Sequence, residues 1–126
     1  MIESISFKSE AHKARFLLAM QEISKVYSGK LDEEYGSALF ILTAGSATWE
    51  KVCGYVGRDG IDFATMLEEV DFSGGYSVLI TLAGNLFNGN QHIGDVRELL
   101  RLDDSNFKVA LTALQLRRRS YHVDEL

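Results

Sequence analysis

The residue types with the widest chemical range fall in one polar string: Asn85, Asn88, Asn90, Gln91, His92 and Asp95. Carboxamides supply donors and acceptors together, an imidazole titrates near neutrality, and a carboxylate can orient it. Ser77, Thr81, Gly84, Asn85 and Asn88 extend the pattern as a small or polar stripe along an otherwise apolar segment. In a buried helix such a stripe either admits a close neighbour or faces a polar pocket, because an unpaired buried amide is costly. Asn85, Asn88, Gln91, His92 and Asp95 are therefore the candidate small-ligand residues. The competing reading is close helix packing with Asn88 in a capping role.

Four other clusters could do chemistry. Ser73-Gly74-Gly75 at a helix start would expose backbone N–H groups to an anion, although Glu68, Glu69 and Asp71 just upstream oppose one. Cys53 with His92 and Asn85 has the composition of a thiol nucleophile set. Yet Cys53 shares a stripe with Trp49, Val52 and Val56, which predicts a buried thiol that reacts slowly. Asp59-Gly60-Ile61-Asp62-Phe63 resembles the middle of a calcium loop. With Gly60 at the sharp turn, however, Tyr55, Gly57 and Met66 stand where oxygen ligands are needed. A turn followed by an Asp cap accounts for the same residues. Arg117-Arg118-Arg119 complements a helix carboxyl end without any ligand. His12, His92 and His122 are dispersed, and one cysteine offers no ligand pair, so no metal and no cofactor are expected.

Composition narrows the classes. Acids outnumber bases 18 to 13, for a net charge of −5, which disfavours a nucleic-acid partner and an anionic lipid surface. A single cysteine suits a reducing, cytoplasmic setting. Met1 to Phe7 lacks the apolar run of a leader, and the run Ala38–Leu42 is too short to cross a bilayer. Val123-Asp124-Glu125-Leu126 looks like a retention tail, a coincidence in a chain with no export signal. With 46% hydrophobic residues and no proline, the chain has the means for a core, and glycine must punctuate it.

The elements that must position these residues read as helices. Ser9 caps a first helix running to about Tyr27, stopped by Ser28-Gly29, and Asp32 opens a second that is apolar all round at Ala38–Leu42. A short helix around Trp49 to Val56 and a two-turn helix capped by Asp62 follow. A long, largely apolar helix then starts at Ser73 and runs to about Phe87. Asp95 caps a short helix, and Asp103 to Ser105 caps the last, whose stripe is Phe107, Ala110, Leu111 and Leu114. No hairpin signal and no internal repeat is evident. The expectation is an all-α single domain over 1–126 of six to seven helices, two central and apolar, covered by shorter amphipathic ones. Residues 1–8 read as an extended arm, and 120–126 as a frayed tail.

Several segments, among them Ser6-Phe7-Lys8-Ser9-Glu10-Ala11-His12, Leu39-Phe40-Ile41-Leu42-Thr43-Ala44, Leu82-Ala83-Gly84-Asn85-Leu86-Phe87-Asn88 and Leu102-Asp103-Asp104-Ser105-Asn106-Phe107, are shared in type with a known group. On them the chain resembles a family of small, acidic, uncharacterised all-helical bacterial proteins, some associated with mobile elements. The resemblance implies the fold and carries no activity, cofactor or catalytic residue. The functional expectation is a non-enzymatic protein-interaction module, with a small-ligand binder or small enzyme built on Asn85–Asp95 as the alternative. Short helices cover two apolar ones poorly, so an exposed patch including Trp49, Phe63 or Leu99 is expected to be closed by a homodimer.

Overall fold

Four of the seven α-helices described over residues 4–126 of this computed structural model begin where a short acceptor side chain precedes an apolar run. Ser9 Oγ accepts from His12 N at 3.0 Å to open α1 (Glu10–Glu22). Asp32 Oδ1 accepts from Tyr35 N at 2.9 Å to open α2 (Glu33–Leu42). Asp62 does the same for α4 (Phe63–Glu69) through Thr65 N, and Asp103 for α7 (Asp104–Arg118) through Asn106 N. Each bond satisfies one of the backbone donors that a helix start leaves unpaired. The other three, α3 (Ser46–Val52), α5 (Gly74–Asn88) and α6 (Arg97–Leu100), start without a side-chain cap. At α6, Asp95 two residues upstream accepts from Arg97 N at 2.9 Å, so it still closes that helix start.

The core is centred on α2. Every residue from Tyr35 to Leu42 is buried, and α5, α7 and α1 all pack against this helix. The described residues form an all-α domain of seven helices, with α2 and α5 as the apolar centre. Among the described residues no helix is long and apolar enough to cross a membrane. The carboxyl end of α2 is closed by α1. His12, fully buried, donates from Nε2 to Phe40 O at 2.9 Å and accepts at Nδ1 from Lys8 N at 3.0 Å. Arg15 Nε donates to Thr43 O at 2.8 Å. Ile5 is buried and the Phe7 ring packs on His12, Phe16 and Phe40, so described residues 4–8 of the expected arm are docked. Residues 1–3 of that arm lie outside the described residues.

Three local expectations are corrected. First, α1 stops at Glu22, not near Tyr27. Ser24 turns to φ 58°, and β1 (Val26–Tyr27) pairs with β2 (Lys30–Leu31) across Ser28 and Gly29 at φ 52° and 81°. Second, the chain does repeat. β3 (Val56–Gly57) and β4 (Gly60–Ile61) form a second antiparallel hairpin, and Val26↔Leu31 matches Val56↔Ile61 thirty residues on (56 − 26). In both units the next residue, Asp32 or Asp62, caps the following helix. The units abut: Tyr35 Oη donates to Gly57 O at 2.7 Å, and Arg58 Nη2 donates to Ser24 Oγ at 2.9 Å.

Third, the tail 120–126 is not frayed. Tyr121 is buried, Ser120 Oγ donates to Leu31 O at 2.7 Å, and Leu31 N donates back to Tyr121 O at 2.8 Å. A 3₁₀ turn at Val123–Glu125 is closed by a reciprocal cap between His122 and Glu125. Arg119 holds Glu125 at 2.9 Å and lies over the Tyr121 ring. That bond, with the His122 N–H, holds the Glu125 carboxyl down at about 2. Gly29 is needed here twice over, for its positive φ and because a Cβ would strike the His122 ring.

Candidate functional site

The polar string does not form one pocket. Asn85 Nδ2 donates to Gln91 O at 2.8 Å, so the side chain pins residues 89–94 back onto α5. Gly84 lies beneath that loop. A Cβ there would stand 2.6 Å from Gln91 Cγ and 3.1 Å from Phe63 Cγ, so the small-residue stripe serves close packing. Asn88 Oδ1 accepts from Asn90 N at 3.0 Å and turns the chain past Gly89, which takes φ 78°. The loop separates two small clefts. Asn88 and Gln91 border one of about 150 Å³ beside Ile61 and Phe63. His92, exposed, borders another of about 180 Å³ with Thr81, Ile93 and Glu98. Asp95 borders neither; it grips Arg97 at 2.7 Å, which lowers its carboxyl pKa. The five candidate residues thus lie along one loop and its flanks without converging.

Of the anion candidates, Ser73 lines a cleft. It is about 460 Å³ and lies between the start of α3 and the start of α5. Ser46, Thr48, Lys51 and Tyr76 join Ser73 in its wall, and Asp71 sets a carboxylate among them. Gly74 faces open space, and Gly75 faces Asn106 and Leu102. No local pattern links Lys51 and the hydroxyls of Ser46 and Thr48 to Ser73, because the two helix starts lie 28 residues apart in the chain (74 − 46).

Cys53 is exposed, which corrects its expected burial. Its helix ends at Val52, which takes the core position, and the thiol donates only weakly toward Glu50 O at 3.8 Å. The Asp59–Phe63 segment is the β3–β4 turn and the Asp62 cap. Among the described residues no group of three or more His, Cys, Asp or Glu side chains converges. The three arginines divide. Arg117 Nε donates to Leu86 O at 2.7 Å, closing the carboxyl end of α5, and reaches Glu33 at 3.7 Å. Arg119 belongs to the tail, and Arg118 is exposed.

The expected interface residues also separate. Phe63 is 4% exposed and packs on Phe87, so it cannot line a surface patch. Trp49 and Leu99 are half-buried against the core. The apolar residues that do face solvent on and beside the last two helices are Val96, just before α6, Leu100 of α6 and Leu111 and Leu114 of α7, exposed by 69, 65, 47 and 38%. Leu111 and Leu114 were expected to be core. The buried stripe of α7 is instead Asn106, Val109, Ala110, Ala113 and Leu116, and of the expected stripe only Ala110 lies on it. Compared with known proteins, this chain matches no family model, no curated protein and no solved structure.

Proposed function

We propose that this protein is a non-enzymatic interaction module that docks a protein through the solvent face of α6 and α7. The observation that supports the reading is the exposure of four large aliphatic side chains, one capping α6 and three on α6 and α7, two consecutive helices that pack together. Single exposed leucines are ordinary, but Val96 and Leu100 are one turn apart, as are Leu111 and Leu114, so each helix presents an apolar edge. The interior needs no ligand to complete it: every fully buried side-chain N or O among the described residues is already hydrogen-bonded. On this reading the polar loop Asn85–Asp95 is structural, holding α6 in place beside α5.

A photo-crosslinking amino acid at position 111, with position 68 on the exposed face of α4 as control, tests it in the native cell. A discrete protein adduct from position 111 that is absent from position 68 is the expected result. Equal, diffuse labelling from both positions would overturn the reading.

A further inference from the structure

We propose that the partner on this face is a second copy of the chain, docked with its α7 antiparallel about a two-fold axis near Leu111. The proposal rests on the interaction reading above and adds the identity of the partner. At about 100° per residue, Asp104, Phe107, Leu111, Leu114 and Arg118 fall within about 80° of arc, on the side of α7 away from its buried stripe. Their spacing of 3, 4, 3 and 4 residues is the repeat of a helix–helix seam. The seam is polarised, with an acid at the first position, apolar residues at the middle three and a base at the last.

That polarity selects the occupant. Asp104 and Arg118 stand about 21 Å apart along the axis, at 1.5 Å per residue, with Leu111 midway. A two-fold axis at Leu111 puts each Leu111 against its mate. It also brings Asp104 of each copy to the partner's Arg118, forming two equivalent ion pairs. A parallel arrangement would set acid against acid and base against base. Both charges are free to pair across the axis, since neither has an ion-pair or side-chain hydrogen-bond partner among the described residues. The nearby arginines are already engaged: Arg97 with Asp95, Arg101 with Glu98, Arg117 with Leu86 O and Glu33, and Arg119 with Glu125. One self-complementary stripe closes a dimer and exposes no further copy of itself, as two-fold symmetry requires.

Sedimentation equilibrium in the micromolar range, at low salt, tests this. The wild-type chain should approach twice its 14.1 kDa mass. Leu111→Asp, at an exposed position, should raise the dissociation constant at least about a hundredfold, with an unchanged helical spectrum. Arg118→Asp should raise it about tenfold by turning both ion pairs repulsive, and adding Asp104→Arg in the same chain should restore it. A monomeric wild type would overturn the proposal, as would a double variant no tighter than Arg118→Asp. The position-111 adduct separates the two readings. A mass of two chains supports both, a different adduct mass with a monomeric wild type removes the second copy alone, and no adduct with a monomeric wild type removes both.

Discussion

His12 is the group whose titration the fold opposes most directly. Its ring is fully buried between Phe7 and Phe40, with ring centroids at 5.1 and 4.5 Å. Desolvation, aided by the Arg15 and Lys8 charges and partly offset by the Phe40 carbonyl, lowers its pKa from 6.5 to about 4. The folded pKa lies below the unfolded one, so between these values the unfolded chain binds more protons. Stability is therefore fully present above pH 6.5 and is lost as pH falls toward 4. A shift of this size corresponds to about 3 kcal/mol once both states are protonated, and to about 2 kcal/mol between about pH 7.5 and about pH 5.

His12→Gln tests the assignment. Glutamine can reach Phe40 O with its amide but does not titrate. It should cost about 1–2 kcal/mol near pH 7.5, through the lost Lys8 bond and poorer ring packing. The variant should then show a much flatter decline on acidification. Urea unfolding followed by circular dichroism at both pH values, for both chains, gives the comparison. His92 and His122 are common to both chains and cancel in it. Glu125, held at about 2, is lost only at lower pH. Equal losses in the two chains between these pH values would refute the account.

Two further outcomes can be measured simply. Cys53 should react with an aromatic disulfide reagent as fast in the native protein as in denaturant; strong native protection would contradict its exposed placement. Gly29→Ala should destabilise by about 2 kcal/mol or more, since it meets both a positive φ and the His122 ring, and should speed proteolysis of the tail; an unchanged urea midpoint would show that the tail docking contributes nothing.

Legibility in the sequence followed how local each cause is. Ser9, Asp32, Asp62 and Asp103 act on an amide three residues ahead, and all four helix starts were readable from composition and order. The all-apolar stretch Ala38–Leu42 could only be central. The tail was not readable, because Ser120 and Tyr121 find their partners at Leu31, about ninety residues away. The hairpins were missed for a different reason: strands of two residues carry no alternation to detect. In the site region, the Asn85 amide finds its partner in a backbone carbonyl six residues on. No local pattern distinguishes such a partner from a ligand.

The misreading of α7 bears on function. Two apolar stripes wind along this helix, one through Val109, Ala110, Ala113 and Leu116 and one through Phe107, Leu111 and Leu114. By side-chain size the second should be the core. The structure buries the first, and the reason lies in α2, which α7 packs against. Every residue of α2 from Tyr35 to Leu42 is buried, so a closely packed neighbour fits best where it offers small side chains such as Ala110 and Ala113. Burying Asn106 and Thr112 on that side is tolerable, because Thr112 donates back to Lys108 O and no buried polar atom is left unpaired. The larger leucines then remain outside, on a face that the core had no room to take. A sequence selected only for a monomeric core would have little reason to keep a second apolar stripe bounded by an acid at one end and a base at the other, neither of them ion-paired among the described residues.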